Sequence, residues 1–279
     1  MLWAYAGLMR YSDALDAFGK AKQVKPNFPD AYLEEGKLYL NQHMPEQALE
    51  QLETALRLDK TNPEIRLYHA RTISLLGRVE EAKQTLNDLL ADKYEPFSRY
   101  NRGMANYFMA LICHEQNDEE GATMHYHAAS LIVEEAGLWY GNLLLERGDV
   151  ENARTAYWIG DFASIYGNAE LNCRLGNLEL SKKNYKDALD AFRKGYVNHP
   201  DVAEVWFGAG MAYVGLKDRV EAMAALTKAI ELDQSNPEAY YQRALLHLKN
   251  KNTEEAMHDL QTASDLGLVE AKKRLGNLK

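Results

Sequence analysis

Small and large apolar residues alternate along this chain at spacings of three and four, and the alternation itself recurs about every 34 residues. On a helix such positions share one face. The recurring element is an alanine, a bulky residue four positions on, and a small residue three further. It appears as Ala14–Phe18–Ala21, Ala48–Leu52–Ala55, Ala82–Leu86–Leu89, Ala122–Tyr126–Ala129, Ala153–Tyr157–Gly160, Ala188–Phe192–Gly195, Ala222–Leu226–Ala229 and Ala256–Leu260–Ala263. The leading alanines stand 34, 34, 40, 31, 35, 34 and 34 apart. Twelve residues before all but the first lies another small residue: Gly36, Ala70, Ala110, Gly141, Gly176, Gly210 and Ala244. The pattern predicts pairs of antiparallel helices, in which the alanine lets the two backbones approach and the bulky residue fills the space beside it.

Local signals agree. Gly77 and Gly148 fall where the two helices of a unit must turn and a left-handed residue is needed. Asn62-Pro63 and Asn236-Pro237 mark helix starts, and Glu64, Glu170, Glu204 and Glu238 sit in first turns, favourable to the helix dipole. Three departures stand out. The chain begins inside a unit, with apolar Leu2 and Trp3 unaccompanied by the rest of a first helix. The spacing of 40 places an insertion around 94–100 and predicts a kink or change of pitch near 94–103. The last segment, 269–277, reads as a first helix without a second, with Lys272 where an aromatic would be, as suits a polar solenoid cap.

The residues Trp206, Ala209, Gly210, Tyr213, Ala222, Leu226 and Ala229, then Leu175, Gly176, Ala188, Phe192, Gly195 and Pro200, then Tyr32, Gly36, Tyr39, Ala48, Leu52 and Ala55, follow one signature. It resembles that of the tetratricopeptide repeat (TPR) family, a 34-residue helix pair. The resemblance spans essentially the whole chain. It implies an all-α fold, a right-handed α–α superhelix of about eight helix pairs, the first truncated, plus a C-terminal capping helix. The expected organisation is a single array over 1–279. A partial repeat covers 1–28, two repeats plus the insertion cover 29–102, five repeats cover 103–268, and the cap covers 269–279.

Composition narrows the function. With 32 Lys+Arg against 41 Asp+Glu the net charge is −9, opposite in sign to what nucleic-acid binding requires. The cluster Lys272, Lys273, Arg274 reads as a solvated helix end. No stretch approaches the roughly 20 apolar residues of a membrane span, so no membrane insertion is expected, and cytoplasmic location is the default. Cys113 and Cys173 have no metal-ligand spacing. His125 and His127 point to different sides of a helix, and His114-Glu115 lacks a second histidine. Cys113 reads as a small buried hydrophobe. No glycine-rich phosphate loop is present. No active site, metal site or cofactor is therefore expected, and the chain reads as a non-enzyme.

What the family resemblance implies is a concave groove lined by the first helices. Reading the outward positions gives Leu33, Glu34 and Lys37, then Leu67, Tyr68 and Arg71, then Met104, Tyr107, Phe108 and Leu111. Leu138, Trp139 and Asn142 follow, then Arg174 and Asn177, then Phe207 and Met211, and last Tyr241, Gln242 and Leu245. From these, Tyr68, Arg71, Tyr107, Phe108, Leu111, Trp139, Asn142, Arg174 and Asn177 are the expected peptide-binding residues. Tyr107, Phe108 and Trp139 would form an apolar platform, and Asn142 and Asn177 would grip a peptide backbone with paired amides. The basic set with which the family's best-known peptide readers hold a C-terminal carboxylate is absent. The expected partner is a protein or peptide segment. Alternatives are a regulatory or substrate-recruiting segment of a larger enzyme or of a secretion or assembly complex, and a scaffold self-associating through Leu2 and Trp3.

Overall fold

The computed structural model describes residues 11–91, 98–163 and 167–278. Among them are sixteen helices and no strand. They are α1 (Tyr11–Val24), α2 (Pro29–Asn41), α3 (Pro45–Leu58), α4 (Pro63–Leu75), α5 (Val79–Ala91), α6 (Arg99–Glu115), α7 (Glu119–Ser130) and α8 (Glu134–Glu146). Then come α9 (Val150–Ala163), α10 (Ala169–Ser181), α11 (Tyr185–Asn198), α12 (Ala203–Leu216), α13 (Arg219–Leu232), α14 (Pro237–Lys249), α15 (Thr253–Asp265) and α16 (Val269–Gly276). The fold is all-α and built of helix pairs as the periodicity predicts, of the TPR solenoid class that the family resemblance implies. Contacts divide the chain into two compact units, residues 1–136 and 137–279, with the boundary inside α8.

In the first unit α2 packs on α3, α4 on α5 and α6 on α7, and successive first helices α2, α4 and α6 touch one another. The second unit repeats this order with α10 on α11, α12 on α13 and α14 on α15. Every leading alanine of the repeat is fully buried, as are Phe18, Leu52, Leu86, Tyr126, Tyr157, Phe192, Leu226 and Leu260 or nearly so. The small residue twelve positions earlier makes room for the bulky one. A Cβ added to Gly141 would lie 2.3 Å from the Tyr157 ring, and one on Gly176 would lie 2.5 Å from that of Phe192. At the start of the second unit backbone meets backbone, a Cβ on Gly137 falling 2.5 Å from the Gly160 Cα.

The turns inside the repeats share one geometry. Gly77 and Gly148 are left-handed as expected, and so are His43, Asn117, Lys183, Lys217 and Lys251 at the equivalent positions. The amide of the residue after each bonds back to a carbonyl five residues earlier, as Arg78 does to Ile73 at 2.9 Å and Asp218 to Tyr213 at 3.0 Å. That closure satisfies helix carbonyls that would otherwise lack donors. Helices α4 and α14 start at Pro63 and Pro237 as predicted, and Asn62 and Asn236 cap them, each side-chain oxygen accepting two backbone amides at 3.0–3.3 Å.

The irregular segment is only partly visible to this description. Residues 92–97 lie outside the described set, as do Leu2 and Trp3; α6 begins at Arg99 behind Ser98, whose hydroxyl accepts the Asn101 amide at 3.1 Å. At the other end α16 buries Ala271 and Leu275 against Tyr240, Ala244, Leu260 and Ala263. Its Lys272, Lys273 and Arg274 are exposed. No helix among the described residues is long and apolar enough to cross a membrane.

Candidate functional site

The first helices carry two kinds of side chain on the face turned away from their own second helices. In the first unit, Leu33, Leu67, Met104 and Phe108 are buried, with Phe108 only 6% exposed. Glu34, Lys37, Tyr68, Arg71, Tyr107 and Leu111 are half-buried. The expected groove residue Phe108 is thus a packing residue. Its ring meets Tyr68 edge-on at 5.5 Å and tilts against Tyr107 at 6.1 Å. The physical reason is the contact between successive first helices, which covers positions that helix periodicity alone leaves open. Phe108→Ala is therefore expected to lower stability by about 3 kcal/mol, the usual cost of emptying a buried ring site. A thermal melt unchanged by the substitution would return Phe108 to the surface.

Charged groups extend this face. Lys37 donates to Glu34 at 2.8 Å and also to Glu64, and its ammonium lies 4.7 Å above the Tyr68 ring. Both terminal nitrogens of Arg71 reach Glu115 Oε1 at 3.3 Å. Burial raises the Glu34 carboxyl above its ordinary value, Lys37 opposing the shift and Glu64 adding to it. Burial also drives the Tyr68 phenol upward, reinforced by Tyr100 and by Glu64. The face therefore offers half-buried aromatic rings and a guanidinium held in place by ion pairs, a surface able to take apolar side chains and hydrogen-bonding groups together.

In the second unit Trp139 is 38% exposed, and Arg174 and Asn177 are exposed. Asn142 is half-buried, and its side-chain oxygen accepts the Tyr157 hydroxyl at 2.7 Å. The amide that was expected to grip a peptide is thereby partly engaged by the core. Arg174 bonds Glu170 one turn back at 3.3 Å. Phe207, Met211, Tyr241, Gln242 and Leu245 are half-buried on α12 and α14.

The opposite side of each unit holds a cleft between neighbouring second helices. In the second unit a cleft of about 430 Å³ lies between α9 and α11 over α10. Its Arg154 pairs with buried Glu179 and approaches Asp187 at 4.0 Å, while Lys194 pairs with Asp161 at 3.0 Å. Burial would raise the Glu179 carboxyl, but hydrogen bonds from Arg154 and Asn184 and the charges of Arg154 and Lys182 outweigh it and hold it below 4.5. Its contribution is complete above 4.5, where the unfolded chain is also ionised, and is lost as pH falls through the lower folded value. Glu179→Gln is expected to flatten the acid limb of a stability–pH curve below about pH 4.5. An acid limb identical to that of the unmodified chain would contradict this.

Burial shifts the pKa of both cysteines and of His125. Cys113 is buried, and burial together with Asp118 raises its thiol pKa. Burial pushes Cys173 up to about 11. His125 shares a 3.0 Å hydrogen bond with Asn106, and burial lowers its pKa. Among the described residues no group of three or more His, Cys, Asp or Glu is placed to hold a metal ion.

Known proteins share this architecture. The chain is 26% identical over 227 residues to a DnaJ homolog subfamily C member 7 homolog of Dictyostelium discoideum, covering 80% of this chain and 37% of that protein. It is 35% identical over 88 residues to human neutrophil cytosol factor 2, covering 32% of this chain and 16% of that one. The chain thus spans about a third or less of the length of these relatives. Among solved structures it superposes on a chain of the APC/C hetero-tetramer Cut9-Hcn1 with a TM-score of 0.54 at 17% identity, covering 96% of this chain and 52% of that one. MamA from Desulfovibrio magneticus superposes with a TM-score of 0.50 at 18% identity, over 59% of this chain and 94% of that one. At those identities the likeness is one of fold. A tetratricopeptide repeat model matches residues 42–107. With residues 99–273 matching the model described as the cilia and flagella-associated protein 70 C-terminal domain, the chain belongs to that family of tetratricopeptide repeat proteins.

Proposed function

We propose that this chain is a protein–protein interaction module that holds an extended or helical segment of a partner in the groove of the first helices within a unit. The observation that carries the reading is the presence, on the first helices of each unit, of aromatic and hydrogen-bonding side chains that are half-buried or exposed. Tyr68 and Arg71 stand on α4, Tyr107 and Leu111 on α6, Trp139 and Asn142 on α8, and Arg174 and Asn177 on α10. Aromatic and arginine side chains are the residues on which binding energy concentrates at interfaces. Their positions on packed helices mean that little order has to be created on binding.

The test is capture of partners by the purified chain, followed by mass spectrometry. Because the matching family is described by its association with cilia and flagella, a lysate of ciliated cells is the appropriate material. The unmodified chain is compared with Tyr68→Ala/Arg71→Ala/Tyr107→Ala and with Trp139→Ala/Arg174→Ala/Asn177→Ala. A partner held by the unmodified chain and lost by either folded variant supports the groove; a partner held equally by all three contradicts it. A second reading, that the array recruits partners to other parts of a longer protein, is supported by the small share of its curated relatives that it spans. It uses the same face.

A further inference from the structure

The cleft on the second-helix side of the first unit differs from its counterpart in the second in one respect: its cations are not neutralised. It has a volume of about 720 Å³ and lies between α3 and α5 over α4, lined by Arg57, Lys60, Arg66 and His69 together with Glu53 and Glu81. Arg57 donates to Thr54 at 2.9 Å. Among the described residues neither Arg57, Lys60 nor Arg66 has a carboxylate within ion-pair distance. Of the acidic groups nearby, Glu53 lines the cleft and two others are engaged by neighbours. Glu81 is gripped by Arg78 at 2.7 and 3.0 Å, and Asp59 accepts from the Thr61 and Asn62 amides at 3.0 and 3.1 Å. Burial and the charge of Arg78 lower the pKa of His69. In the second unit, by contrast, Arg154 and Lys194 are each paired.

We propose that this cleft binds a carboxylate-rich segment of a polypeptide partner. Three cations without an ion-pair partner outnumber Glu53, the one lining carboxylate not already gripped by an arginine, and leave the cleft positive in a chain whose net charge is −9. Guanidinium groups match carboxylates in geometry as well as sign. A short acidic segment fits better than a nucleic acid, because the cations span one repeat only and the acidic remainder of the chain repels a continuous run of phosphates. The site is separate from the groove. At about 100° per residue, Arg66 and His69 point to the side of α4 opposite Tyr68 and Arg71, so the two faces can be occupied independently.

Fluorescence anisotropy at low ionic strength, with fluorescein-labelled decaglutamate as the probe, tests this. The unmodified chain is expected to bind it, with affinity falling as salt is added. Arg57→Gln/Lys60→Gln/Arg66→Gln is expected to bind about tenfold more weakly. Lys272→Gln/Lys273→Gln/Arg274→Gln, which removes a basic cluster of the same size from exposed α16, is expected to bind like the unmodified chain. Should circular dichroism show the first triple unfolded, Arg57→Gln/Lys60→Gln, both at exposed positions, replaces it with an expected loss of about threefold. The proposal is overturned if the unmodified chain does not bind, if both clusters matter equally, or if a labelled ten-nucleotide oligothymidylate binds as tightly.

Discussion

Phe192→Ala is expected to lower the free energy of unfolding of the second unit by about 3–5 kcal/mol. The ring is fully buried between three helices. Its neighbours are backbone: a Cβ built on Gly176 of α10 would lie 2.5 Å from it, and one on Gly208 of α12 would lie 2.1 Å away. A space walled by helix backbone closes poorly when its occupant is removed, which places the cost at the high end of such substitutions. The same geometry fixes the sign of a coupling. Gly208→Ala alone forces the ring aside and destabilises, whereas in the Phe192→Ala background its methyl enters vacated space and costs less. Denaturant titrations of the four combinations measure this directly. A loss below about 1 kcal/mol for Phe192→Ala would mean that the helices collapse on the cavity and that the repeat packs less rigidly than described.

Arg243→Met is expected to be comparably damaging, by about 3–5 kcal/mol, for a different reason. Arg243 of α14 makes a two-pronged pair with Asp259 of α15, Nε to Oδ2 and Nη2 to Oδ1 at 2.8 Å each, and its third nitrogen reaches Thr227 at 3.3 Å. The side chains are 18% and 2% exposed. Removing the guanidinium leaves a buried carboxylate with, among the described residues, only the His247 and His258 imidazoles, at 4.0 and 3.7 Å, beside it. Removing both charges does not, so Arg243→Met/Asp259→Leu is expected to be more stable than Arg243→Met alone. Hydrogen exchange of α14 and α15 amides reads both variants, since in a repeat array stability is set by each unit and its neighbours. A double variant no more stable than the single one would show that the pair is not an isolated buried charge couple.

The repeat was legible because its cause is steric. An alanine facing a small residue is the condition for two helices to approach, and a condition that recurs every 34 residues leaves its mark in the chain. Turn geometry was half legible. Gly77 and Gly148 announce a left-handed backbone, but Lys183, Lys217 and Lys251 adopt it without any compositional sign, because the closing hydrogen bonds come from the backbone. The outward side of the first helices was legible as a face, and the burial of its residues was not. Periodicity tells which side of α4 or α6 turns from its own partner helix. It does not tell how far the next first helix overlaps that side, and this overlap takes Leu33, Leu67, Met104 and Phe108 out of solvent while leaving Tyr68, Arg71, Tyr107 and Leu111 half-exposed. Pairs such as Arg243 with Asp259 and Tyr157 with Asn142 join separate helices, so no local spacing marks them.

The measurement that bears most directly on the groove is photo-crosslinking from single positions, with benzoylphenylalanine placed at Leu111 or Asn177 on the first helices, and at Met124 or Val197, both exposed on second helices. The account predicts that a partner present in the lysate is crosslinked from Leu111 and Asn177 and not from Met124 or Val197. Crosslinks arising from Met124 and Val197 alone would contradict it.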